Sequence, residues 1–295
     1  MGSNINFHKV VDQLCDQSMN SELYHLPWHK MEVPSIPEIQ KLIELLREII
    51  FPGYFGDTKI RPETLHEVLS ARVQSAYLLL IEQIYRGSCF YCYKPSHQCV
   101  ECEERSHQLA ALFMEKLPSV KHKLALDVLA AYNGDPSIPH ISEAVFCNPG
   151  ITAITCYRIA YELVVLKVPL IPRIISEIAH SITGIDINPE AVIGEKFFID
   201  HGTGVVIGQT AIIGNNVKIY QGVTLGAKSF PVDSSGNPVK DMPRHPIIED
   251  NVIIYSNATI LGRVTIGKGA VIGGNVWIID DVPPGTRVNL KMPHP

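Results

Sequence analysis

Three groups of residues have the types and spacing that chemistry requires. Asp200 and His201 form an acid–histidine pair at a break in a regular repeat, and Arg244 and His245 end a long polar loop. Because an imidazole titrates near neutral pH, a histidine can take up and return a proton during a reaction. The third group consists of four cysteines in two CxxC pairs: Cys89, Cys92, Cys99 and Cys102.

The spacing of the four cysteines favours a structural metal. Four thiolates can close tetrahedrally around Zn²⁺, and residues 94–96 can form the turn between the two pairs. We therefore predict a structural Zn²⁺ that takes no part in the main chemistry. The alternative is four free thiols at the connection between two helices.

A six-residue repeat surrounds Asp200 and His201 and predicts the fold. A helix does not keep a period of six, whereas a left-handed parallel β-helix builds each coil from three six-residue faces, with the repeated aliphatic residue pointing into a continuous core. The aliphatic positions are Ile187, Ile193, Ile199, Ile207, Ile213, Ile219, Leu225, Ile248, Ile254, Ile260, Ile266, Ile272 and Ile278. Small or β-branched residues recur four positions further on.

The repeat is interrupted twice. Ile199 and Ile207 are eight residues apart instead of six, and Asp200 and His201 lie in this gap. Residues 227–247 have no aliphatic phase and form a polar loop thrown out of one coil. A polar loop of this length in a tight repeat is usually functional.

The preceding half of the chain has helical periodicity, so the expected fold class is α+β. We predict an all-helical domain over residues 1–183, a β-helix domain over 184–290 with the loop 227–247, and a short tail over 291–295. One helix should lie between Pro34 and Pro52, and a second should end at Gly87. The second to sixth helices are expected at about 62–86, 103–117, 119–132, 150–167 and 169–182.

Composition narrows the function class. The 295 residues are 46% hydrophobic and 19% charged, as in an ordinary globular protein, and the formal net charge is −5. Because no basic run is present, we expect neither nucleic acid nor a membrane surface as a partner. A signal-like N-terminus and an apolar run of about 18 residues are both missing, so a cytoplasmic location is expected. The odd number of cysteines, seven, fits a reducing compartment.

Four motifs together resemble the serine O-acetyltransferase family. They are the GDP at 134–136, GIDINPEAVIG, the run IDHGTGVVIGQTAIIGNNVKIYQGVTLGA and the RHPII after the loop, and the resemblance covers about residues 119–288. It implies transfer of the acetyl group of acetyl-CoA to the hydroxyl of L-serine. The products would be O-acetyl-L-serine and CoA, in the first step of cysteine biosynthesis.

The resemblance implies a catalytic role for several of these residues. His201 would act as general base in a direct attack without an acyl-enzyme, and Asp186 would orient its ring. Their fifteen-residue offset approaches one eighteen-residue coil, so we expect them to be stacked neighbours. His245 would lie beside the reacting hydroxyl. Arg244 would hold the serine carboxylate, while Asp135 and Asp200 would hold its ammonium group.

Coenzyme A is expected along the outside of the β-helix, as the resemblance implies. Small side chains would let its pantetheine arm approach the backbone at Gly226, Ala227, Ser256 and Gly274. Lys228 and Lys268 would meet the phosphates, although they can equally be ordinary surface lysines.

The resemblance also implies a homotrimer or a hexamer with active sites between subunits, and inhibition by cysteine. The chain departs from the family in three ways. Asn188 replaces a histidine that is often seen there, the loop before Arg244 is longer than in the enteric enzymes, and no tail ending in isoleucine follows. We therefore do not expect a complex with O-acetylserine sulfhydrylase.

Three other readings compete. A different hexapeptide acyltransferase would act on a sugar or a xenobiotic hydroxyl, but Asp135, Asp200 and Arg244 favour an amino-acid zwitterion. A metalloenzyme of the carbonic anhydrase type needs three histidine ligands, and residues 184–295 contain only His201, His245 and His294. A non-catalytic scaffold would leave the Asp200–His201 break unexplained.

Overall fold

The computed structural model describes residues 5–16, 33–56, 59–92, 99–229, 232–240 and 242–290. The expected turn at 94–96 and the tail at 291–295 lie outside these residues. Within these residues, seven helices precede the strands: α1 (Phe7–Cys15), α2 (Ile36–Ile50), α3 (Leu65–Phe90), α4 (Val100–Gly134), α5 (Ile141–Cys147), α6 (Pro149–Val165) and α7 (Ile171–Thr183). Within the described ranges, no helix is both long and apolar enough to cross a membrane.

Local capping explains where several helices begin. The Ser35 hydroxyl accepts a hydrogen bond from the Glu38 amide (3.4 Å) at the start of α2. Asn148 accepts one from the Gly150 amide (2.7 Å) at the start of α6. Both side chains accept hydrogen bonds from amides that have no partner within the helix. These capping residues allowed the starts of α2 and α6 to be predicted from the sequence to within one or two residues.

Two helix predictions were wrong because packing overrides local signals. Gly87 does not end α3, which continues to Phe90. A Cβ at Gly87 would lie 3.0 Å from the carbonyl oxygen of Pro169, so the glycine permits a close approach between chain segments. The predicted helices at 103–117 and 119–132 form the single helix α4, which contains Pro118 between the buried residues Leu117 and Val120. The short helices α1 and α5 were not predicted.

In the part of the chain that the structure describes, fourteen short strands form a parallel β-helix of three sheets, as the repeat predicts. The strands are β1 (Asp186–Ile187), β2 (Val192–Ile193), β3 (Phe198–Asp200), β4 (Val206–Ile207), β5 (Ile212–Ile213), β6 (Lys218–Tyr220), β7 (Thr224–Gly226), β8 (Ile247–Ile248), β9 (Ile253–Ile254), β10 (Thr259–Leu261), β11 (Thr265–Ile266), β12 (Val271–Ile272), β13 (Trp277–Ile278) and β14 (Arg287–Val288). The first sheet has the order β1-β4-β7-β10-β13, the second β2-β5-β8-β11, and the third β3-β6-β9-β12-β14. From β1 to β13, successive strands belong to successive sheets, and β14 then returns to the third sheet, so the chain makes about five coils.

The strand register locates both interruptions of the repeat. Val206 pairs with Thr224, eighteen residues further on, which is one regular coil. Asp186 pairs with Val206, twenty residues further on, so the first coil contains two extra residues. Thr224 pairs with Thr259, thirty-five residues further on, because the loop is inserted in that coil. The extra residues in both cases lie at corners and leave the sheets unbroken.

The repeated aliphatic residues form a continuous core. Ile199, Ile219 and Ile254 stack through three coils of the third sheet, and each is at most 2% exposed. Burying such a side chain contributes about 1.5–3 kcal/mol relative to leaving it in water. The rigid stack fixes the height of every corner, where the candidate site residues lie.

Buried polar contacts fasten the helices to the first coil. Arg158 makes two hydrogen bonds to Asp127, from Nε to Oδ2 (2.5 Å) and from Nη2 to Oδ1 (2.9 Å). Arg158 Nη2 also donates to the carbonyl oxygen of Gly194 (2.7 Å), and the Phe197 amide donates to Asp127 (2.9 Å). The pair therefore joins α4 and α6 to the turn before β3, which leads directly into Asp200.

Candidate active site

His201 lies at the corner where the third sheet passes into the first, which we call the histidine edge. The edge comprises His201, Ser256 and Gly274, which follow strands of the third sheet in three of the coils. His201 has φ 58°, a left-handed conformation that is uncommon for a residue other than glycine. Its side chain is 76% exposed. The lengthened corner therefore presents the imidazole to solvent, where a substrate can reach it.

Asp200 lies beside the imidazole and is held by a lysine. Its Oδ1 lies 3.9 Å from Nε2 of His201, and its Oδ2 lies 3.3 Å from Nζ of Lys218. Lys218 also donates to the carbonyl oxygen of Gly134 (2.7 Å), at the end of α4. Burial lowers the pKa of Lys218, but hydrogen bonds with Tyr220 and Asp200 outweigh this effect and the pKa is raised. Lys218 therefore stays positively charged and fixes the position of the Asp200 carboxylate.

Asp135 reaches the same place from the helical region. It follows α4, and its Oδ1 accepts hydrogen bonds from the Ser137 amide (2.8 Å) and the Ser137 hydroxyl (2.7 Å). These bonds lower the pKa of Asp135, and the nearby charges of Lys218 and His201 lower it further. The structure thus brings Asp135, Asp200 and His201 together at one end of the histidine edge.

Asp186 lies on the outer face of the first sheet and is not stacked on His201, contrary to the expectation. The first coil has twenty residues, so Asp186 pairs with Val206, five residues after His201. Within the described residues, Asp186 makes no hydrogen bond to His201. Asn188, which replaces the histidine often seen there, accepts a hydrogen bond from the Glu190 amide (3.0 Å) and serves the turn after β1.

Arg244 and His245 lie at the corner where the first sheet passes into the second, which we call the arginine edge. The edge comprises Thr210, Arg244, His245 and Arg263. Thr210 lies one coil below the end of the loop, and its hydroxyl oxygen accepts hydrogen bonds from the Arg244 amide (2.8 Å) and the His245 amide (3.1 Å). Arg244 Nη2 donates to Oε1 of Gln209 (2.9 Å). Thr210 therefore anchors the loop end at a defined place.

The hydrogen bonds of His245 identify its tautomer. Nδ1 accepts a hydrogen bond from the Thr210 amide (3.1 Å), so the proton of the neutral ring is on Nε2. Burial lowers the pKa of His245 to about 4, assisted by the charges of Arg244 and Arg263. The ring lies against Gly208, where a Cβ would come within 2.1 Å of Nε2. His245 is therefore an uncharged hydrogen-bond donor at neutral pH. Its ring fits there because residue 208 is a glycine and has no side chain.

The two edges lie on opposite sides of the first sheet. Every coil passes from the histidine edge along a strand of the first sheet to the arginine edge. The six residues of one face span at most about 20 Å at 3.3 Å per residue. A single chain therefore separates His201 from Arg244 and His245 by the width of one face.

The positions expected to line coenzyme A divide between the edges. Gly226 ends β7 on the arginine edge, with Ala227 and Lys228 next to it. Ser256 and Gly274 are stacked on the histidine edge, since a Cβ at Gly274 would lie 3.1 Å from the carbonyl oxygen of Ser256. Lys268 lies at the third corner, between β11 and β12, and the structure does not bring it near the others.

Some residues of the site were not singled out from the sequence. Lys218 pairs with Phe198 in the adjacent coil, two residues before Asp200. The repeat could therefore have identified Lys218 as a neighbour of the site. Thr210 and Arg263 flank the inserted loop, and the Nη1 of Arg263 donates to the carbonyl oxygens of Thr210 (2.6 Å) and His245 (3.1 Å). Their contacts depend on the position at which the loop rejoins the β-helix, and this position cannot be derived from the spacing of the repeat. The four cysteines lie apart from both edges, at the junction of α3 and α4.

The comparisons with known proteins agree with the fold. Residues 245–280 match the family model described as bacterial transferase hexapeptide (six repeats). Together with the β-helix, this match defines the chain as a hexapeptide-repeat transferase. The chain is 46% identical to the plasmid serine acetyltransferase of Synechococcus elongatus over 284 residues, which cover 95% of the chain and 89% of that relative. The chain belongs to the serine acetyltransferase family.

Solved structures give the same result. Serine acetyltransferase 1 of Entamoeba histolytica, solved in complex with L-cysteine, matches with a TM-score of 0.74 and 34% identity, covering 92% of this chain and 94% of that one. The serine acetyltransferase of Neisseria gonorrhoeae, solved in complex with serine, matches with a TM-score of 0.55 and 26% identity, covering 85% and 95%.

Proposed function

We propose that this protein is a serine O-acetyltransferase, an acyltransferase. It transfers the acetyl group of acetyl-CoA to the hydroxyl of L-serine, giving O-acetyl-L-serine and CoA in the first step of cysteine biosynthesis. The observation that carries the proposal is the 46% identity to a serine acetyltransferase over 95% of the chain. The exposed imidazole of His201, beside two carboxylates, supports it.

His201 is the general base in this proposal. A serine hydroxyl is a weak nucleophile at neutral pH, so His201 removes its proton as the oxygen attacks the thioester carbonyl carbon. The carbon–sulphur bond then breaks, and the imidazolium returns the proton to the departing CoA thiolate. Asp186 lies on the neighbouring face, and the family resemblance assigns to it the role of orienting the imidazole and stabilising its charged form.

The charges at the two edges match the two ends of a serine zwitterion. Asp135 and Asp200 provide negative charge for the ammonium group beside His201. Arg244 provides a planar guanidinium, which can bind a carboxylate through two parallel hydrogen bonds. His245 is neutral and carries its proton on Nε2, so it can donate a hydrogen bond near the reacting oxygen.

Because the edges are separated in one chain, the complete site requires two chains. In a homotrimer, the histidine edge of one subunit faces the arginine edge of its neighbour, and two trimers can join as a hexamer. Exposed apolar side chains on the outer faces of the β-helix would be stabilised by such contacts, because burial of apolar surface against a neighbour is favourable. They include Trp277 (67% exposed), Val192 (45%) and Ile212 (37%).

The same interface suits coenzyme A. Gly226 and Ala227 from one subunit and Ser256 and Gly274 from the next would form two small-residue walls, between which the pantetheine arm can lie against the backbone. Lys228, at the start of the loop, is exposed and available to a phosphate. Lys268 is better explained as a surface lysine, because it lies at the third corner. The Zn²⁺ predicted at the four cysteines has no part in this chemistry.

One assay tests the proposed function. Thiol release from acetyl-CoA is measured with L-serine, with other amino acids and with a panel of sugar and xenobiotic alcohols. We expect turnover with L-serine and a product one acetyl group heavier by mass spectrometry. Turnover with a sugar but not with serine would assign the chain to another hexapeptide acyltransferase, and acetyl-CoA binding without any turnover would indicate a scaffold.

Cysteine is a natural competitor for the same pocket. It differs from serine only in having sulphur in place of the hydroxyl oxygen, and the Entamoeba histolytica relative was solved with L-cysteine. We propose that cysteine competes with serine for Asp135, Asp200 and Arg244. Inhibition that raises the serine KM without lowering kcat at saturating serine is the expected pattern.

A further inference from the structure

The four cysteines converge at one end of a helix pair. Cys89 lies in the last turn of α3 and Cys92 lies just after it, while Cys99 immediately precedes α4 and Cys102 lies in its first turn. Cys89 and Cys99 are buried, at 8% and 6% exposed, and none of the seven cysteines forms a disulfide. The fold therefore places all four thiols at the same junction, although two of them belong to each helix.

The sulphur positions approach those of a tetrahedral site. The Sγ atoms of Cys92, Cys99 and Cys102 all lie within 4.8 Å of one another, and Cys92 and Cys99 are 3.8 Å apart. Four sulphur atoms that each lie about 2.3 Å from a tetrahedral Zn²⁺ are about 3.8 Å from one another. Cys89 lies outside this group of three, but its thiol interacts with that of Cys102, which makes Cys89 the candidate for the fourth ligand.

We propose that Cys89, Cys92, Cys99 and Cys102 bind one structural Zn²⁺ that fastens the end of α3 to the start of α4. Thiolate ligands select soft or borderline metals over Mg²⁺ or Ca²⁺, and four protein ligands leave no open position for catalysis. The amides at the start of α4 add partial positive charge next to Cys99 and Cys102. The metal lies in the helical region and takes no part in acetyl transfer.

The first experiment measures metal in the untagged full-length protein, purified under reducing conditions without chelator. We expect about one Zn²⁺ per chain by elemental analysis. Exchange with Co²⁺ should give the intense visible bands and the thiolate charge-transfer band of tetrahedral sulphur coordination. Metal-free protein with all four thiols reactive, iron with inorganic sulphide, or a Cys92–Cys99 disulfide in the non-reduced peptide map would overturn the proposal.

Variants test the ligand set. Cys99→Ser with Cys102→Ser should lose the metal, and Cys89→Ser should lose it to a weaker chelator than the unmodified protein does. Cys147→Ser is the matched control, since Cys147 is exposed at the end of α5, and its metal content should not change. If Cys89→Ser binds Zn²⁺ as tightly as the unmodified protein, the four-cysteine site is wrong.

A stability measurement separates this site from the proposed function. Chelation of the metal should lower the thermal midpoint, while kcat measured well below that midpoint stays the same. Metal content and the Co²⁺ spectrum do not depend on which acceptor is acetylated, so the failure of one proposal leaves the other standing. An unchanged thermal midpoint after complete removal of a stoichiometric metal would exclude a structural role.

Discussion

At the level of single residues, the site depends on one exposed imidazole between carboxylates. The Asp200 carboxylate lies 3.9 Å from His201 Nε2 and is held from its other oxygen by Lys218. In the proposed mechanism, this arrangement keeps negative charge beside the ammonium group of serine and leaves the imidazole open to the incoming hydroxyl. A base that reaches its substrate directly needs no covalent intermediate.

Replacement of the base should lower turnover without unfolding the protein. His201→Ala is expected to reduce kcat by about 10²- to 10⁴-fold, because the hydroxyl loses its proton acceptor. Acetyl-CoA binding and circular dichroism should stay close to those of the unmodified protein. His107→Ala, at an exposed position of α4, is the matched control. Full turnover in His201→Ala would remove this residue from the mechanism.

Carboxylate recognition can be tested without changing charge. Arg244→Lys keeps the positive charge but loses the planar fork, so the serine KM should rise by about 10- to 100-fold while the acetyl-CoA KM changes little. Arg173→Lys, in an exposed pair with Glu177 on α7, controls for the substitution itself. Equal increases in both KM values would point to a misfolded loop instead of lost carboxylate binding.

The low pKa of His245 predicts a pH effect on stability. Its pKa is about 4 in the folded protein, whereas an unfolded histidine titrates near 6.5. Because the unfolded state binds the proton more readily, the contribution of His245 is complete above about pH 6.5 and is lost as the pH falls towards 4. Denaturant unfolding across this range should show a steeper loss than in His245→Asn. Parallel curves for the two proteins would contradict the neutral, buried assignment.

At the level of elements, the β-helix could be predicted because every coil has the same spacing of aliphatic residues. Each aliphatic residue has its own stacked partner one coil away, so thirteen positions agree and no single error changes the fold class. The helix ends predicted at Gly87 and near Pro118 were wrong because each prediction depended on one residue. Each is a single local signal, and burial of Leu117 and Val120 or the approach of Pro169 overrides it.

The site was less accessible to sequence reasoning than the fold. The residues that match the family motifs were identified, but their partners Lys218 and Thr210 depend on which residues stack in adjacent coils. The two extra residues at the His201 corner shift that register, so Asp186 lies against Val206 and not His201. An irregular spacing does not show whether the added residues bulge out of the coil or change which residues of the next strand are paired.

The junction between the helices and the first coil should carry a large share of stability. Asp127→Ala leaves the Arg158 guanidinium buried without its carboxylate, so we expect a loss of about 3–5 kcal/mol in the free energy of unfolding. Lys41→Ala is the control, because its pair with Glu38 is exposed and should change stability by under about 1 kcal/mol. Denaturant unfolding measures both, and similar losses in the two variants would show that the buried pair is not special.

At the level of the whole molecule, the separation of the two edges has a consequence for assembly. One chain carries His201 and Arg244 on opposite sides of the first sheet, so in the proposed binding mode neither edge holds both ends of serine by itself. In a closed ring of three identical subunits, each histidine edge can meet the arginine edge of the next subunit. Each interface then contains one complete site, to which each of two chains contributes one half.

Mixed trimers test this arrangement directly. His201→Ala and Arg244→Ala should each be nearly inactive alone, because every interface in either trimer lacks one half of the site. When the two variants are co-expressed with different affinity tags, every doubly tagged trimer contains both variants, so an intact histidine edge meets an intact arginine edge at one of its three interfaces. Doubly tagged trimers should therefore recover up to about one third of normal turnover. Mixed trimers that remain inactive would place His201 and Arg244 in a site within a single chain.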